Sequence, residues 1–155
     1  MLSMSPSRAQ TPKPANAPAP RSANDVTIRG TIIALRNADA TQFSAKQDLS
    51  GKPADALKAL EALVAQRKAT SVANPAVTSK SGQRAVSDSG KITLEVLSVV
   101  SPDGKTADIN LALDDNGHKI VTSFQVSNGD VKFLGSVQSP TDKTMTAYVF
   151  VRVSY

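Results

Sequence analysis

From residue 25 onward, apolar and polar side chains alternate along most of this chain. In 25–35, "DVTIRGTIIAL", Val26, Ile28, Gly30 and Ile32 share one face, and Thr27, Arg29 and Thr31 share the other. A period of two marks a half-buried strand, because successive strand side chains point to opposite faces. The same pattern returns in 91–100, where Ile92, Leu94 and Val96 alternate with Thr93 and Glu95. It continues through Ala107, Ile109, Leu111 and Leu113, and again through Ile120, Thr122, Phe124 and Val126. "VKFLG" is short and apolar, and the last strand, "MTAYVFVRVSY", sets Met145, Ala147, Val149, Val151 and Val153 against Tyr148, Phe150 and Arg152. Between these runs stand "SPDGK", "DNG" and "SNGD", the turn chemistry of hairpins.

One segment breaks the period. In 53–68, "PADALKALEALVAQRK", Leu57, Leu60, Leu63 and Val64 form an apolar stripe at helical spacing. Pro53 suits a first turn, where its missing N–H has no partner to lose. Asp55 near the start and Arg67 with Lys68 near the end match the helix dipole. The stripe is narrow and much of the rest is alanine, so the helix is expected to pack on a sheet. The preceding stretch, "RNADATQFSAKQDLSGK", reads as a polar connection with turn residues at Asn37 and Gly51. The expected fold is therefore α+β: mainly antiparallel β hairpins, packed by one N-terminal helix.

Composition narrows the chemistry. At 155 residues the chain is one domain's worth, and it has no cysteine. Disulfides, thiolate nucleophiles and cysteine-ligated zinc or iron–sulfur sites are excluded. No run approaches the ~18 apolar residues of a spanning helix. Residues 1–24 hold five of the nine prolines and no apolar period, and they lack the apolar centre of a signal peptide. They read as a disordered Pro/Ala-rich tail or linker ahead of a domain at 25–155.

The net charge of +5 comes largely from that tail, where Arg8, Lys13 and Arg21 precede the first acid, Asp25. From Asp25 onward, 15 basic and 13 acidic residues are mixed. With no tryptophan and few aromatics, no nucleic-acid partner is expected.

His118 is the only histidine and directly follows the turn pair Asn116-Gly117. No G-x-S-x-G elbow stands near it. "LDDNGHK" has the outline of a calcium loop. With Gly117 set on that loop's glycine, Ala112 and Ser123 occupy two ligand positions, so a plain hairpin turn is expected. Asp103, Asp114, Asp115, Asp130 and Asp142 all fall at turns. No catalytic residue, cofactor or metal site is expected, and the chain is read as not an enzyme.

The stretch 70–86, "TSVANPAVTSKSGQRAV", remains: two short β-like pieces, interrupted by Asn74-Pro75 and by Ser81-Gly82-Gln83. An alanine- and leucine-rich helix, a strand ending in Asn-Pro, and then V-T-x-x-S-G-Q-x-A resembles the core signature of bacterial secretins. These are the outer-membrane ring proteins of type II and type III secretion, type IV pili and filamentous phage export. The signature positions are Asn74, Pro75, Val77, Thr78, Ser81, Gly82, Gln83 and Ala85. A glycine-led turn at Gly129 and the pair Leu134-Gly135 resemble the family's closing strands. The chain departs from the pattern at "SDSG", where the family has Val-Gly and Pro, and at "SVQSPTDKT", where it has a longer segment.

The resemblance implies a reduced secretin-like sheet, with 72–86, "VANPAVTSKSGQRAV", as a hairpin whose polar tip, Ser81, Gly82 and Gln83, projects. It implies a structural subunit or accessory of an envelope assembly, in the periplasm or outer membrane. The expected partners are copies of itself or other secretion proteins, with membrane association left open. The alternative is a free-standing β-rich binding or structural module of the cell envelope.

Overall fold

A computed structural model describes residues 25–155. The Pro/Ala-rich stretch 1–24, read above as a disordered tail, lies outside the described residues. The elements run β1 (Asp25–Arg36), α1 (Asn37–Lys46), α2 (Pro53–Ala65), β2 (Thr70–Ala73), β3 (Ala76–Lys80), β4 (Arg84–Asp88) and β5 (Ile92–Val100). β6 (Thr106–Asp115), β7 (His118–Ser127), β8 (Val131–Gln138) and β9 (Met145–Ser154) complete them.

The strands form two antiparallel sheets. One has the order β2-β1-β9-β8, with β3 also paired to β1; the other is β4-β5-β6-β7. β1 and β9 pair from Thr27 against Ser154 to Arg36 against Met145, and they are the inner strands of the first sheet. One face of that sheet meets the second sheet. There Val26, Ile28, Ile32, Val149, Val151 and Val153 pack with Leu94, Val96, Ile109, Leu111 and Leu113. The other face meets the helices, with Ile33, Leu35, Tyr148 and Phe150 against Phe43, Ala56, Leu57 and Leu60. The molecule thus has three layers: helices, the β1/β9 sheet, and an outer sheet with one face in water. Two-sided burial explains why Tyr148 and Phe150, on the face of β9 opposite the valines, are also buried.

On the wet face of the second sheet, polar residues pair across strands. Ser123 Oγ donates to Asn110 Oδ1 (2.5 Å) and Gln125 Nε2 to Asp108 Oδ1 (3.1 Å). The β6–β7 turn holds Asn116 and Gly117 at φ 52° and 89°, the left-handed pair of a two-residue hairpin loop, and Gly117 N–H donates to Asp114.

Two expectations need correction. The fold is α+β with antiparallel sheets, but the described residues form two helices, not one. The stretch read as a polar connection forms α1, Asn37–Lys46. Its only buried residues are Ala40 and Phe43, a face too narrow to show as a stripe. Tertiary contacts hold it instead. The Tyr148 hydroxyl donates to the Ala40 carbonyl (2.9 Å) and shares a hydrogen bond with Ser44 Oγ (2.6 Å), while Phe43 meets the Tyr148 ring edge-on.

The second correction concerns 76–88. β3 and β4 do not pair as a hairpin: β3 pairs with β1, and β4 with β5 in the other sheet. The chain changes sheets at 81–83.

α2 begins with Pro53 at its first turn and buries Ala56, Leu57 and Leu60. It ends in a two-bond cap: Lys68 N–H donates to the Leu63 carbonyl (2.8 Å) and Arg67 N–H to that of Val64 (3.0 Å). This geometry puts the residue after the cap in the left-handed region, where glycine is favoured. Arg67 stands there instead, at φ 61°.

Leu60 is fully buried. Leu60→Ala should cost about 2–5 kcal/mol in chemical denaturation, the range for emptying a core leucine site. A loss under about 0.5 kcal/mol, the scale of a surface change, would show that α2 does not close this core.

Candidate functional site

Of the signature residues, Asn74, Pro75, Ser81, Gly82, Gln83 and Gly129 sit where the chain crosses from one strand or sheet to the next, and Val77, Thr78, Ala85, Leu134 and Gly135 lie within strands. β2 and β3 lie end to end along one edge of β1: Ala73 pairs with Ile32, and Ala76 with Arg29. Asn74 and Pro75 bridge the gap. Between two ladders a proline loses nothing, since no ladder hydrogen bond calls for its missing N–H. Its carbonyl still serves, accepting the Gly30 N–H at 2.7 Å. A Cβ on Gly30 would come 3.0 Å from Pro75 Cγ, so the glycine is what lets the bridge approach β1. Asn74 is exposed. Val77, one of the inward residues of β3, is buried, and Thr78 bonds Thr27 across the ladder, hydroxyl to hydroxyl at 2.9 Å.

Ser81, Gly82 and Gln83 form the first sheet-to-sheet crossing, and they are tied down rather than projecting. Gly82 N–H donates to the Ser98 carbonyl (2.7 Å), and Val100 N–H to Ser81 Oγ (2.9 Å). Gln83 N–H closes the turn on the Lys80 carbonyl at 3.0 Å. Beneath the corner, the buried hydroxyls of Ser79 and Ser98 link the two sheets at 3.3 Å. Ala85 packs against the core from β4. Ion pairs flank the corner on exposed surface: Lys80 with Asp25, and Arg84 with Glu95.

Gly129 marks the second crossing, from β7 to β8. Its N–H donates to the Val153 carbonyl (2.7 Å), and the Gly129 carbonyl accepts from Arg152 Nη1 (3.1 Å). Leu134 is the extra residue of a bulge between Phe133, which pairs with Phe150, and Gly135, which pairs with Val149. The bulge reverses the strand's facing. Val131 and Phe133 look toward the helices, whereas Leu134 and Val137 pack on the inter-sheet core.

No catalytic grouping emerges from these positions. His118 is exposed at the start of β7, opposite Asp115. Among the described residues no three of His, Asp or Glu converge as metal ligands would. The turn acids hold the backbone. The Ser101 hydroxyl and Lys105 N–H keep the Asp103 carboxyl below the usual carboxylate range. The Thr144 hydroxyl and N–H do the same for Asp142. Burial raises the Tyr155 hydroxyl. Reading the sequence missed Gly30, whose role depends on a chain segment more than forty residues away; a glycine in an otherwise apolar strand face was the available signal.

This arrangement is a secretin-like α+β fold. Among solved structures it is similar to the InvG secretin domain β-barrel from the Salmonella SPI-1 injectisome NC-base. The match has a TM-score of 0.50 at 10% sequence identity and covers 84% of this chain and 62% of that one. The chain thus spans less than two thirds of that protein's length. No family model and no curated protein matches the sequence.

Gly30→Val should destabilise by about 1–3 kcal/mol through overpacking against Pro75. Pro75→Ala should relieve part of that cost, so the double variant is less damaged than the sum of the singles. Strict additivity in a urea-unfolding cycle would show that the two residues do not press on each other.

Proposed function

We propose that this chain is a non-enzymatic structural subunit or accessory of a bacterial secretin-type envelope assembly, serving type II or type III protein secretion or a pilus-type system. On this reading it works in the periplasm or outer membrane beside copies of itself. The observation that carries the proposal is the secretin-like fold, in which Ser81, Gly82, Gln83 and Gly129 of the signature form the corners that switch the chain between sheets.

The sheet edges supply a way to assemble. The outer sheet ends on one side in β4 and on the other in β7, ten residues long. Neither has a second ladder partner among the described residues. Free strand edges present unpaired N–H and C=O groups, and pairing with a neighbouring chain satisfies them directly. Pairing β7 of one copy with β4 of the next is a head-to-tail contact, which makes a ring if the rotation closes.

A free-standing envelope module is the second reading. It is favoured by the closed core that one chain already forms between its two sheets.

Native mass in plain buffer and in mild detergent separates the two. A high-order oligomer is expected; a clean monomer in both at high concentration would leave the module reading in front. Proline placed at Val121 and, separately, at Thr122 tests the edge itself. Neighbouring strand residues aim their N–H groups to opposite sides. One variant should therefore break the β6 ladder and weaken the fold, while the other keeps the fold and loses assembly. Assembly unchanged in the folded variant would exclude the β7 edge.

A further inference from the structure

We propose that the groove between α1 and the C-terminal end of α2 docks a partner protein through a short acidic segment carrying one apolar anchor residue. The groove measures about 760 Å³, enough for several side chains. Leu35, Phe43 and Leu63 line it, and Leu35 and Phe43 are buried. Four exposed cations also line it: Arg36, Lys46, Arg67 and Lys68, against a single acid, Asp39. None of these four makes a salt bridge among the described residues, where the ion pairs are Lys80–Asp25 and Arg84–Glu95. Elsewhere in the domain basic and acidic residues are nearly balanced, so this local excess is a feature of the groove.

Arg67 adds a second, independent observation. It occupies the left-handed position of the α2 cap, at φ 61°, where glycine would fit without strain. Strained backbone held at a charged residue lining a cavity is a mark of function. The cost is retained where a guanidinium is useful, since its planar fork matches a carboxylate in two hydrogen bonds.

The occupant follows from charge and shape. The chain's own residues 1–24 carry Arg8, Lys13 and Arg21 and no acid, so their charge opposes docking here. A membrane surface fits poorly. Among the described residues the exposed large apolar side chains are Val72, Val86, Val99 and Val121, none of them on α1 or α2, and the surface is concave. Phe43 is the one aromatic residue lining the groove, too few for a platform on which successive bases stack. An acidic peptide meets both conditions: carboxylates for the four cations, and one Leu or Phe side chain for the apolar lining.

The test titrates the full chain, with its amide resonances observed, against a peptide of aspartates and glutamates around one leucine. The same peptide with lysines for its acids, anionic phospholipid vesicles and a single-stranded oligonucleotide form the comparison arms. Saturable shifts at Phe43, Leu63 and Arg67, weakening with added salt, are expected for the acidic peptide alone. The double variant R67E/K68E should lower its affinity at least about tenfold, on the scale of losing close charge pairs. Lys105→Glu, in the distant β5–β6 turn, should leave it unchanged. Arg67→Gly should raise the melting temperature by about 2–4 °C while weakening the peptide, because it relieves the left-handed strain and removes the fork. Equal shifts with the basic peptide, tighter binding of vesicles or oligonucleotide, or indifference to R67E/K68E would each overturn the proposal. So would an equal loss in Lys105→Glu, which would reduce the attraction to net charge.

Discussion

The structure depends on a central pair of strands, β1 and β9, whose paired segments Ile32–Leu35 and Ala147–Val151 are buried on both faces. The two hydrogen-bond along nearly their whole lengths, and neither has an edge in water. A strand in that position must be apolar on both sides, and 147–151, Ala-Tyr-Val-Phe-Val, is. Each face then needs a cover. The valine face is met by the inner face of the second sheet, and the aromatic face by α1 and α2. Burying each large side chain contributes about 1.5–3 kcal/mol relative to exposure, so neither cover is dispensable. The second sheet, covered on one side only, is free to carry polar pairs such as Ser123–Asn110 on its other face.

Two layers of strands from one chain also require the chain to change sheets. It does so at 81–83 and at 128–130, and each crossing has a glycine at positive φ, Gly82 and Gly129. In both, the glycine N–H reaches a carbonyl of a strand beside the corner, Ser98 or Val153, at 2.7 Å. A side chain at those φ values would be strained, and the corner would open. The crossings bring β3 beside β4 and β7 beside β8, so the two sheets are aligned at both margins. Ser81-Gly82-Gln83 and Gly129, which look like parts of a recognition motif in sequence, are, in space, the joints of the sandwich.

Much of this was legible because strand period is a local property. Ile92, Leu94 and Val96, and Ile109, Leu111 and Leu113, all fall inward as their alternation requires. Asn116-Gly117 makes the two-residue loop its chemistry favours. What stayed hidden is what distant contacts decide. α1 has one large apolar residue, Phe43, and is held by Tyr148, more than a hundred positions away. Its polar ends, Asp39 in the first turn and Lys46 in the last, were the faint local sign. The segment 76–88 has hairpin chemistry, but a tight turn does not state whether its two strands pair with each other. Here β1 and β5 outcompete that pairing, and Ser81 and Gly82 are spent on β5. The basic groove was invisible for the same reason, since Arg36 and Arg67 lie about thirty residues apart and meet only once α1 folds back.

The layers divide the surface by the kind of contact each can make. The outer sheet offers backbone: two strand edges whose N–H and C=O groups pair with any extended partner, a strong but indiscriminate chemistry. The helical layer offers side chains, four cations around an apolar lining, which discriminate by charge and shape. The β1/β9 sheet lies between them, and where Ile32–Leu35 runs beside Ala147–Val151 it is buried on both faces, which ties the helical layer to the outer sheet. On the proposed reading, in which the chain joins copies of itself and also recognises a different protein, both chemistries are needed, placed so that neither blocks the other. Helices on one side of a doubly buried sheet and free edges on the other meet that requirement.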